Sequence, residues 1–291
     1  MASSASRKVL ITGGTGFIGQ WVVTALRARE FSPVIFDRHY VPRDPTTETI
    51  MGSVSDKVAV DHAVSGVGGV IHLAAQLGTQ ETVEYPDFAF ETNVRGSLNV
   101  FGAVRHYGVP AVYISVGNYW MDNPYSISKH TAERIALMFN REHGTQITIV
   151  RGYNAYGPGQ KVGPVRKIIP NFIVPALKDE AITIYGDGTQ IMDMIYVADL
   201  AEILVDALEQ SQEGVIEAGT GRPTTVHLIA EKVRRAVGKG RLTFAPMRAG
   251  ETEHAIVLAD PPHPKATTTL EEGLDRTIPY YAEMLETTDH L

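Results

Sequence analysis

Residues 8–19 read Lys8-Val-Leu-Ile-Thr-Gly-Gly-Thr-Gly-Phe-Ile-Gly19, an apolar run that breaks into spaced glycines and then continues as a helical pattern over residues 21–30. The run predicts a buried strand, and Gly13 permits the tight turn that ends it. Gly16 lets the backbone approach a pyrophosphate, and Gly19 lets the new helix pack on the strand. Because the N–H groups at a helix N-terminus attract anions, the stretch predicts a phosphate-binding turn.

A second apolar run, Ser32-Pro-Val-Ile-Phe-Asp37, ends in an acid about 20 residues beyond the glycines. At that position a carboxylate can accept both hydroxyls of an adenosine ribose. We therefore predict a dinucleotide-binding domain. Asp37 favours NAD because its charge would repel a 2′-phosphate, whereas the adjacent Arg38 leaves NADP open.

Further apolar runs recur at intervals that leave room for helices between them. Alternating strands and helices predict an α/β fold with a doubly wound parallel (Rossmann) sheet and right-handed crossovers. The predicted strands cover residues 9–12, 34–37, 48–51, 69–74, 111–115, 146–150 and 214–218, and the predicted helices include residues 88–107, 126–142 and 197–209.

The pattern changes after residue 150, where segments rich in glycine and proline indicate turns and loops. We predict a dinucleotide-binding domain of residues 7–155 plus 190–220, and a smaller C-terminal substrate-binding cap of residues 156–189 plus 221–291. The cap would lie over the carboxyl ends of the strands, where open α/β sheets bind their ligands.

The chain has 291 residues, a formal charge of −7 and no cysteine. The lack of cysteine excludes disulfides and thiolate catalysis, and it is compatible with the cytoplasm, where we expect the protein. The acidic charge argues against nonspecific nucleic-acid binding. No run approaches the roughly 20 apolar residues of a membrane span. We expect no metal site, because His72 has no second ligand at metal spacing and the fragment 260–263 resembles a metal motif only superficially.

The segment Tyr125-Ser-Ile-Ser-Lys129 opens a predicted helix and puts a phenol and an ammonium one turn apart on the same face. A phenol with a pKa near 10 is a poor base at neutral pH. Lowering that pKa by ~3 units corresponds to ~4 kcal/mol, which a nearby ammonium in a partly dry site can supply. Ser115 ends the preceding strand, and its hydroxyl could donate to the same substrate oxygen. The alternative is an exposed tyrosine and lysine at helical spacing.

With these motifs the chain resembles the extended short-chain dehydrogenase/reductase superfamily, and within it the NAD-dependent nucleotide-sugar epimerase/dehydratase family. The resemblance runs from about Lys8 to Tyr281 and implies Ser115, Tyr125 and Lys129 as catalytic residues. The other matching motifs, in chain order, are Thr12-Gly-Gly-Thr-Gly-Phe-Ile-Gly19, His72-Leu-Ala-Ala75, Asn93-Val-Arg-Gly-Ser-Leu-Asn99, Arg151-Gly-Tyr-Asn-Ala-Tyr-Gly-Pro-Gly159, Tyr185-Gly-Asp-Gly-Thr-Gln190, Ile195-Tyr-Val-Ala-Asp199 and Arg248-Ala-Gly-Glu251.

The resemblance also implies the binding residues. Besides Ser115, the substrate is expected at Asn154 and Arg248, both on the sugar diphosphate. A homodimer is expected through the helices near residues 88–107 and 126–142. The expected contacts of the NAD cofactor are Gly13, Gly16, Phe17, Ile18, Gly19, Asp37, Arg38, Ser53, Val54, Leu73, Ala74, Ala75, Asn93, Tyr125, Lys129 and Tyr153.

The departures from the family pattern concern the substrate. Val116 and Gly117 stand where related dehydratases carry an Asp-Glu pair and decarboxylases a Glu, so water elimination through such a pair is not expected. Only nine residues separate Ser115 from Tyr125, which shortens a loop on the substrate side. Met192 replaces an arginine that often contacts diphosphate. The pair Arg166-Lys167 is compatible with a phosphate clamp or with solvated side chains.

The resemblance implies NAD-dependent epimerisation of a nucleotide sugar, at C4 of a UDP-hexose, by transient oxidation to the 4-keto sugar. One alternative is an NAD(P)H-dependent reductase of a keto-sugar or another ketone, which would consume NADH stoichiometrically. Another is a noncatalytic dinucleotide-binding protein, for which Tyr125 would carry no function.

Overall fold

The computed structural model describes residues 7–39, 46–211 and 214–288. In chain order its strands are β1 (Lys8–Thr12), β2 (Ser32–Asp37), β3 (Glu48–Met51), β4 (Gly69–His72), β5 (Ala111–Val116), β6 (Ile147–Gly152), β7 (Asn154–Tyr156), β8 (Ala181–Tyr185), β9 (Ile191–Met192), β10 (Met194–Tyr196), β11 (Val215–Ala218), β12 (Thr224–Thr225), β13 (Arg241–Ala245) and β14 (Ile256–Val257). The helices are α1 (Phe17–Ala28), α2 (Lys57–Val64), α3 (Thr79–Glu84), α4 (Pro86–Phe90), α5 (Gly96–Tyr107), α6 (Pro124–His143), α7 (Ile168–Leu177), α8 (Val197–Gln210), α9 (Val226–Val237) and α10 (Leu270–Thr288).

Seven strands form one sheet in the order β11-β6-β5-β4-β1-β2-β3. Every neighbouring pair in this sheet is parallel. Helices α1 and α8 cover one face, and α2, α5 and α6 cover the other. Since both faces are covered, the central strands β4 and β5 are buried along their whole length. The predicted doubly wound parallel sheet is confirmed.

A separate apolar cluster lies in the C-terminal part, where α7, α9 and α10 pack around the parallel pair β8 and β13. Asp193 ties this part to the end of the sheet. Its fully buried carboxylate accepts hydrogen bonds from the backbone N–H groups of Thr220, Gly221 and Ala259. The link between β9 and β10 and the loops after β11 and β14 are thereby held together at the carboxyl ends of the parallel strands.

Two predicted elements differ from the structure. The helix predicted over residues 88–107 is interrupted by a π-helical turn, Glu91–Arg95, between α4 and α5. The strand predicted over residues 69–74 ends at His72, because the N–H groups of Leu73 and Ala74 turn to the hydroxyl of Thr12. Both irregularities fall beside the carboxyl edge of the sheet, where π-turns and strand ends commonly mark functional sites.

Candidate active site

One cavity runs from the turn after β1, past the carboxyl ends of β4 and β5, to β8 and the segment after β13. Residues predicted to bind the cofactor and residues predicted to bind the substrate both line this cavity. The predicted residues on its wall are Gly13, Gly16, Phe17, Ile18, Gly19, Asp37, Arg38, Ser53, Val54, Leu73, Ala74, Ala75, Ser115, Tyr125, Lys129, Tyr153, Asn154 and Arg248.

The glycine turn at the start of the cavity requires glycine for steric reasons. Gly13 has φ +70°, and a Cβ there would lie 2.9 Å from the Ala74 backbone. A Cβ on Gly19 would lie 2.6 Å from the carbonyl oxygen of Gly14. Helix α1 begins at Phe17 directly after Gly16. A pyrophosphate of NAD fits this turn, because close backbone approach and free first-turn N–H groups are the two features that it needs.

Asp37 lies at the end of β2, beside the same turn. Its Oδ2 accepts hydrogen bonds from Thr15, at 3.1 Å from the backbone N–H and 2.6 Å from the hydroxyl. The carboxylate is therefore held in one orientation on the cavity wall. Nothing in the sequence indicated this role of Thr15, because the phosphate-binding motif is defined by its glycines.

Tyr125 and Lys129 lie one turn apart at the start of α6, which Asn123 caps by accepting from the N–H of Ser126 at 3.0 Å. Lys129 is only 2% exposed, and its Nζ lies 4.3 Å from the centre of the Tyr113 ring. Burial lowers the pKa of Lys129 to about 7, against an opposing effect of the Glu133 carboxylate. Burial also raises the pKa of Tyr125 to about 12.

Ser115 reaches the cavity wall, but its hydroxyl donates to Glu133 Oε2 at 2.7 Å. To donate to a substrate oxygen, the hydroxyl would have to leave this carboxylate, so that role stays a prediction. Gly117, two residues further, faces the ring of Tyr153. A Cβ at Gly117 would lie 2.6 Å from that ring, so the position has no room for a carboxylate side chain.

Asn93 was predicted to contact the cofactor, and this contact stays a prediction; in the structure Asn93 lies behind the cavity wall. It is 1% exposed, and its amide bonds to both backbone groups of Gln76 and to the Ser128 hydroxyl. Asn93 therefore shapes the loop after β4 and joins it to α6. The π-helical turn places it there.

His72 lies in the same buried region, between Thr12 at 2.6 Å from Nδ1 and Ser97 at 3.0 Å from Nε2. Ser97 already donates to the carbonyl of Asn93, so it must accept from Nε2–H, and Nδ1 accepts from Thr12. Burial and the nearby charge of Lys129 lower the pKa of His72 to about 3. His72 is therefore a neutral packing residue, which leaves Tyr125 as the candidate base.

Beyond Tyr125 the cavity wall carries groups suited to an anionic ligand. Arg248 donates to Glu251 at 2.6 Å and lies 4.8 Å above the Tyr185 ring, while its buried Nε has no partner among the described residues. Lys167 precedes α7, and its pKa is lowered by burial. Asn154 donates to the carbonyl of Asp193 at 3.1 Å. Met192 also lines this region.

Sequence reasoning missed the charged groups behind the wall: Glu133, Arg151 and Glu217. One signal was available, because Tyr125, Lys129 and Glu133 follow each other at four-residue spacing on a single helix.

Within residues 7–39, 46–211 and 214–288, no three histidine or acidic side chains are grouped in a way that could hold a metal ion. In the same ranges, every helix is too short or too polar to cross a bilayer.

Residues 9–219 match the model of the NAD dependent epimerase/dehydratase family. The chain is similar to a solved UDP-glucose 4-epimerase of Thermus thermophilus in complex with NAD, at 29% identity and TM-score 0.86, covering 94% of this chain and 99% of that one. It is similar to the UDP-glucose 4-epimerase of Thermotoga maritima with UDP-glucose, at 28% identity and TM-score 0.88, covering 96% and 99%. UDP-glucuronic acid decarboxylase 6 of Arabidopsis thaliana is 30% identical, over 80% of this chain and 75% of that protein.

Replacing Asp37 with alanine should relax the preference for NAD over NADP. The ribose hydroxyls lose a charged acceptor, and a 2′-phosphate loses its repulsion. Since one bond to a charged group contributes about 1.5–3 kcal/mol, we expect NAD to bind about 10- to 100-fold more weakly. Calorimetry with both dinucleotides measures this.

Asp61→Ala, which removes the same charge from the outer surface of α2, serves as the control and should leave both affinities unchanged. Tighter binding of NADP than of NAD to the unmutated protein would contradict the assignment and give Arg38 the deciding role.

Proposed function

The chain belongs to the NAD-dependent epimerase/dehydratase family, and on that premise we propose that it epimerises a nucleotide sugar at C4 of a UDP-hexose. NAD is the cofactor of this family, and the turn after β1 fits its pyrophosphate. The observation that carries the proposal is the placement of Tyr125 and Lys129 on the wall of the cavity that begins at this turn. Similarity to two UDP-glucose 4-epimerases supports it.

In this reaction Tyr125, as phenolate, takes the proton from the 4-hydroxyl and later returns it. Protonated Lys129 would stabilise the phenolate through its charge and so oppose the burial that raises the pKa of Tyr125. Bound NAD supplies the acceptor and then the donor of the hydride at C4. The 4-keto sugar must rotate in the cavity before the hydride returns to its other face. The loops after β4, β5 and β13 surround the space for this rotation.

A decarboxylase of UDP-glucuronic acid is also among the relatives, and the wall of the cavity favours epimerisation over that reaction. Related decarboxylases carry a glutamate in the segment occupied by Val116 and Gly117. The ring of Tyr153 fills the space beside Gly117, so a larger residue cannot be accommodated without displacement of that ring. The segment thus offers no acid for a second chemical step.

We assign the diphosphate to Arg248 and Lys167. Lys167 is held near Arg248, Glu81 and Glu251, whose charges act on its pKa. Met192 on the cavity wall supplies no charge, so Arg248 and Lys167 carry a larger share of the diphosphate binding. The contact of Arg248 with Glu251 would be exchanged for the stronger charge of the diphosphate.

A homodimer is proposed through α4, α5 and α6. Large apolar side chains are exposed on these helices, with Phe88 62% and Ile127 42% accessible. A shallow groove next to Phe88 runs along the π-helical turn to Leu98. A second copy of the same surface would cover these side chains.

Replacing Tyr125 with phenylalanine should lower kcat by about 10²- to 10⁴-fold without loss of NAD, because it deletes the proton acceptor and little volume. The assay follows interconversion of UDP-glucose and UDP-galactose by NMR without added NADH. Tyr107→Phe on the surface of α5 is the matched control. In a parallel reaction with added NADH, its stoichiometric consumption would indicate a reductase instead, and release of CO₂ from UDP-glucuronate would indicate a decarboxylase.

Arg248→Ala and Lys167→Met should each raise KM for the UDP-sugar by about one to two decades, since each removes a charge-assisted hydrogen bond. NAD affinity should not change. Lys178→Met makes the same substitution at the exposed far end of α7 and should have no effect. Binding of no sugar nucleotide at millimolar concentration to the NAD-loaded protein would exclude this substrate class.

Phe88→Glu should convert the dimer to a monomer, because it places a charge in the centre of the proposed interface. Sedimentation velocity measures the change. Phe244→Glu alters a similarly exposed phenylalanine on β13 and should leave the dimer intact. A monomeric unmutated protein at micromolar concentration would contradict the proposal.

A further inference from the structure

Three polar residues form a row across the sheet behind the cavity. Ser115 on β5 is paired in register with Arg151 on β6, and Arg151 is paired with Glu217 on β11. Parallel strands in register place such side chains next to each other on one face. Arg151 donates to Glu217 Oε1 at 2.9 Å, and Glu217 Oε2 accepts from the Tyr153 hydroxyl at 2.9 Å.

Glu133 covers this row from α6. It is 1% exposed, and both of its oxygens are engaged. Oε1 accepts from Arg151 at 2.6 Å, and Oε2 accepts from Arg151 at 3.1 Å and from Ser115 at 2.7 Å. Among the cavity residues, Ser115 is therefore held by Glu133 and Tyr153 by Glu217, and Arg151 joins the two carboxylates.

The charges of this group do not cancel internally. Two carboxylates, Glu133 and Glu217, share a single guanidinium, that of Arg151. A buried excess charge is costly unless another ion neutralises it. Lys129, one helical turn before Glu133 and equally buried, supplies a positive charge at this place when it is protonated.

Other titratable groups surround Lys129. His72 on β4 is held neutral by burial. His130 Nδ1 lies 3.6 Å from Glu133 Oε1, but its side chain is 34% exposed to solvent. The remaining groups near Lys129 are Tyr125 on α6, Tyr113 on β5 and, behind Glu133, Arg151 on β6.

We propose that Glu133 is a positioning residue that keeps Lys129 as an ammonium and holds Ser115 directly, and Tyr153 through Arg151 and Glu217, at the reacting end of the cavity. It touches neither cofactor nor substrate and acts through Lys129, Ser115 and Tyr153. The consequence for turnover rests on the proposed function, whereas the effect on Lys129 does not. Burial already lowers the pKa of Lys129 to about 7, so loss of the Glu133 charge would lower it further and leave a neutral amine at pH 7.

The test compares Glu133→Gln with Glu217→Gln, which removes the same charge from the same arginine at a greater distance from the catalytic helix. Protein labelled with ¹³Cε/¹⁵Nζ-lysine is titrated by NMR, and the Lys129 signal is identified by its loss in Lys129→Met. We expect the Lys129 midpoint to fall by about one pH unit in E133Q and by less in E217Q. The basic limb of the pH profile of kcat should shift to lower pH by a similar amount.

Equal shifts in the two variants, or no shift in E133Q, would overturn the proposal, whatever the substrate proves to be. Should E133Q fail to keep its near-UV circular dichroism, the double variant R151M/E217Q decides. It removes one charge of each sign and leaves Glu133 facing Lys129, so the midpoint should rise. An unchanged or lower midpoint there would refute a role of Glu133 in holding the ammonium.

Discussion

The reacting end of the sheet depends on the ion pair between Glu133 and Arg151. Arg151 is on β6, between β5 and β11, so it contacts both neighbouring strands and the helix above them. Each of these charges alone would cost several kcal/mol to bury. Together the two charges neutralise each other. Glu217 adds a second carboxylate to the group, and the excess negative charge favours the protonated form of Lys129 on α6. The charges that join the strands at this end of the sheet are therefore also the charges that act on Lys129.

A second, uncharged chain of hydrogen bonds joins the cofactor turn to the same helix. It runs from Thr12 at the end of β1 through His72, Ser97 and Asn93 to Ser128 on α6. Each donor meets an acceptor, which a buried polar chain requires if it is to stabilise rather than destabilise. Since Ser128 is next to Lys129, the position of the reactive pair is fixed from the glycine turn on one side and from Arg151 on the other.

The sequence predicted what local patterns determine. The glycine turn, the acid at the end of β2 and the Tyr-Lys spacing are each contained in a few consecutive residues, and their placement on one cavity follows from a parallel sheet. The partner of Ser115 could not be predicted in this way. It lies 18 residues away on a helix, and Glu217 lies 66 residues from Arg151, so both contacts depend on strand register and helix rotation. The π-helical turn that carries Asn93 behind the wall likewise has no local signature in an otherwise amphipathic segment.

Burial in the cavity shifts both groups toward their uncharged forms, to a pKa of about 12 for Tyr125 and about 7 for Lys129. At neutral pH the phenol therefore keeps its proton until further positive charge is present. Bound oxidised NAD would add such a charge at the nicotinamide ring and would favour the phenolate form of Tyr125. When that charge disappears during the proposed reaction, the pKa of Tyr125 rises again. In the proposed reaction the proton taken from the sugar would then stay on Tyr125 until the return step, so that proton transfer would follow the redox state of the cofactor.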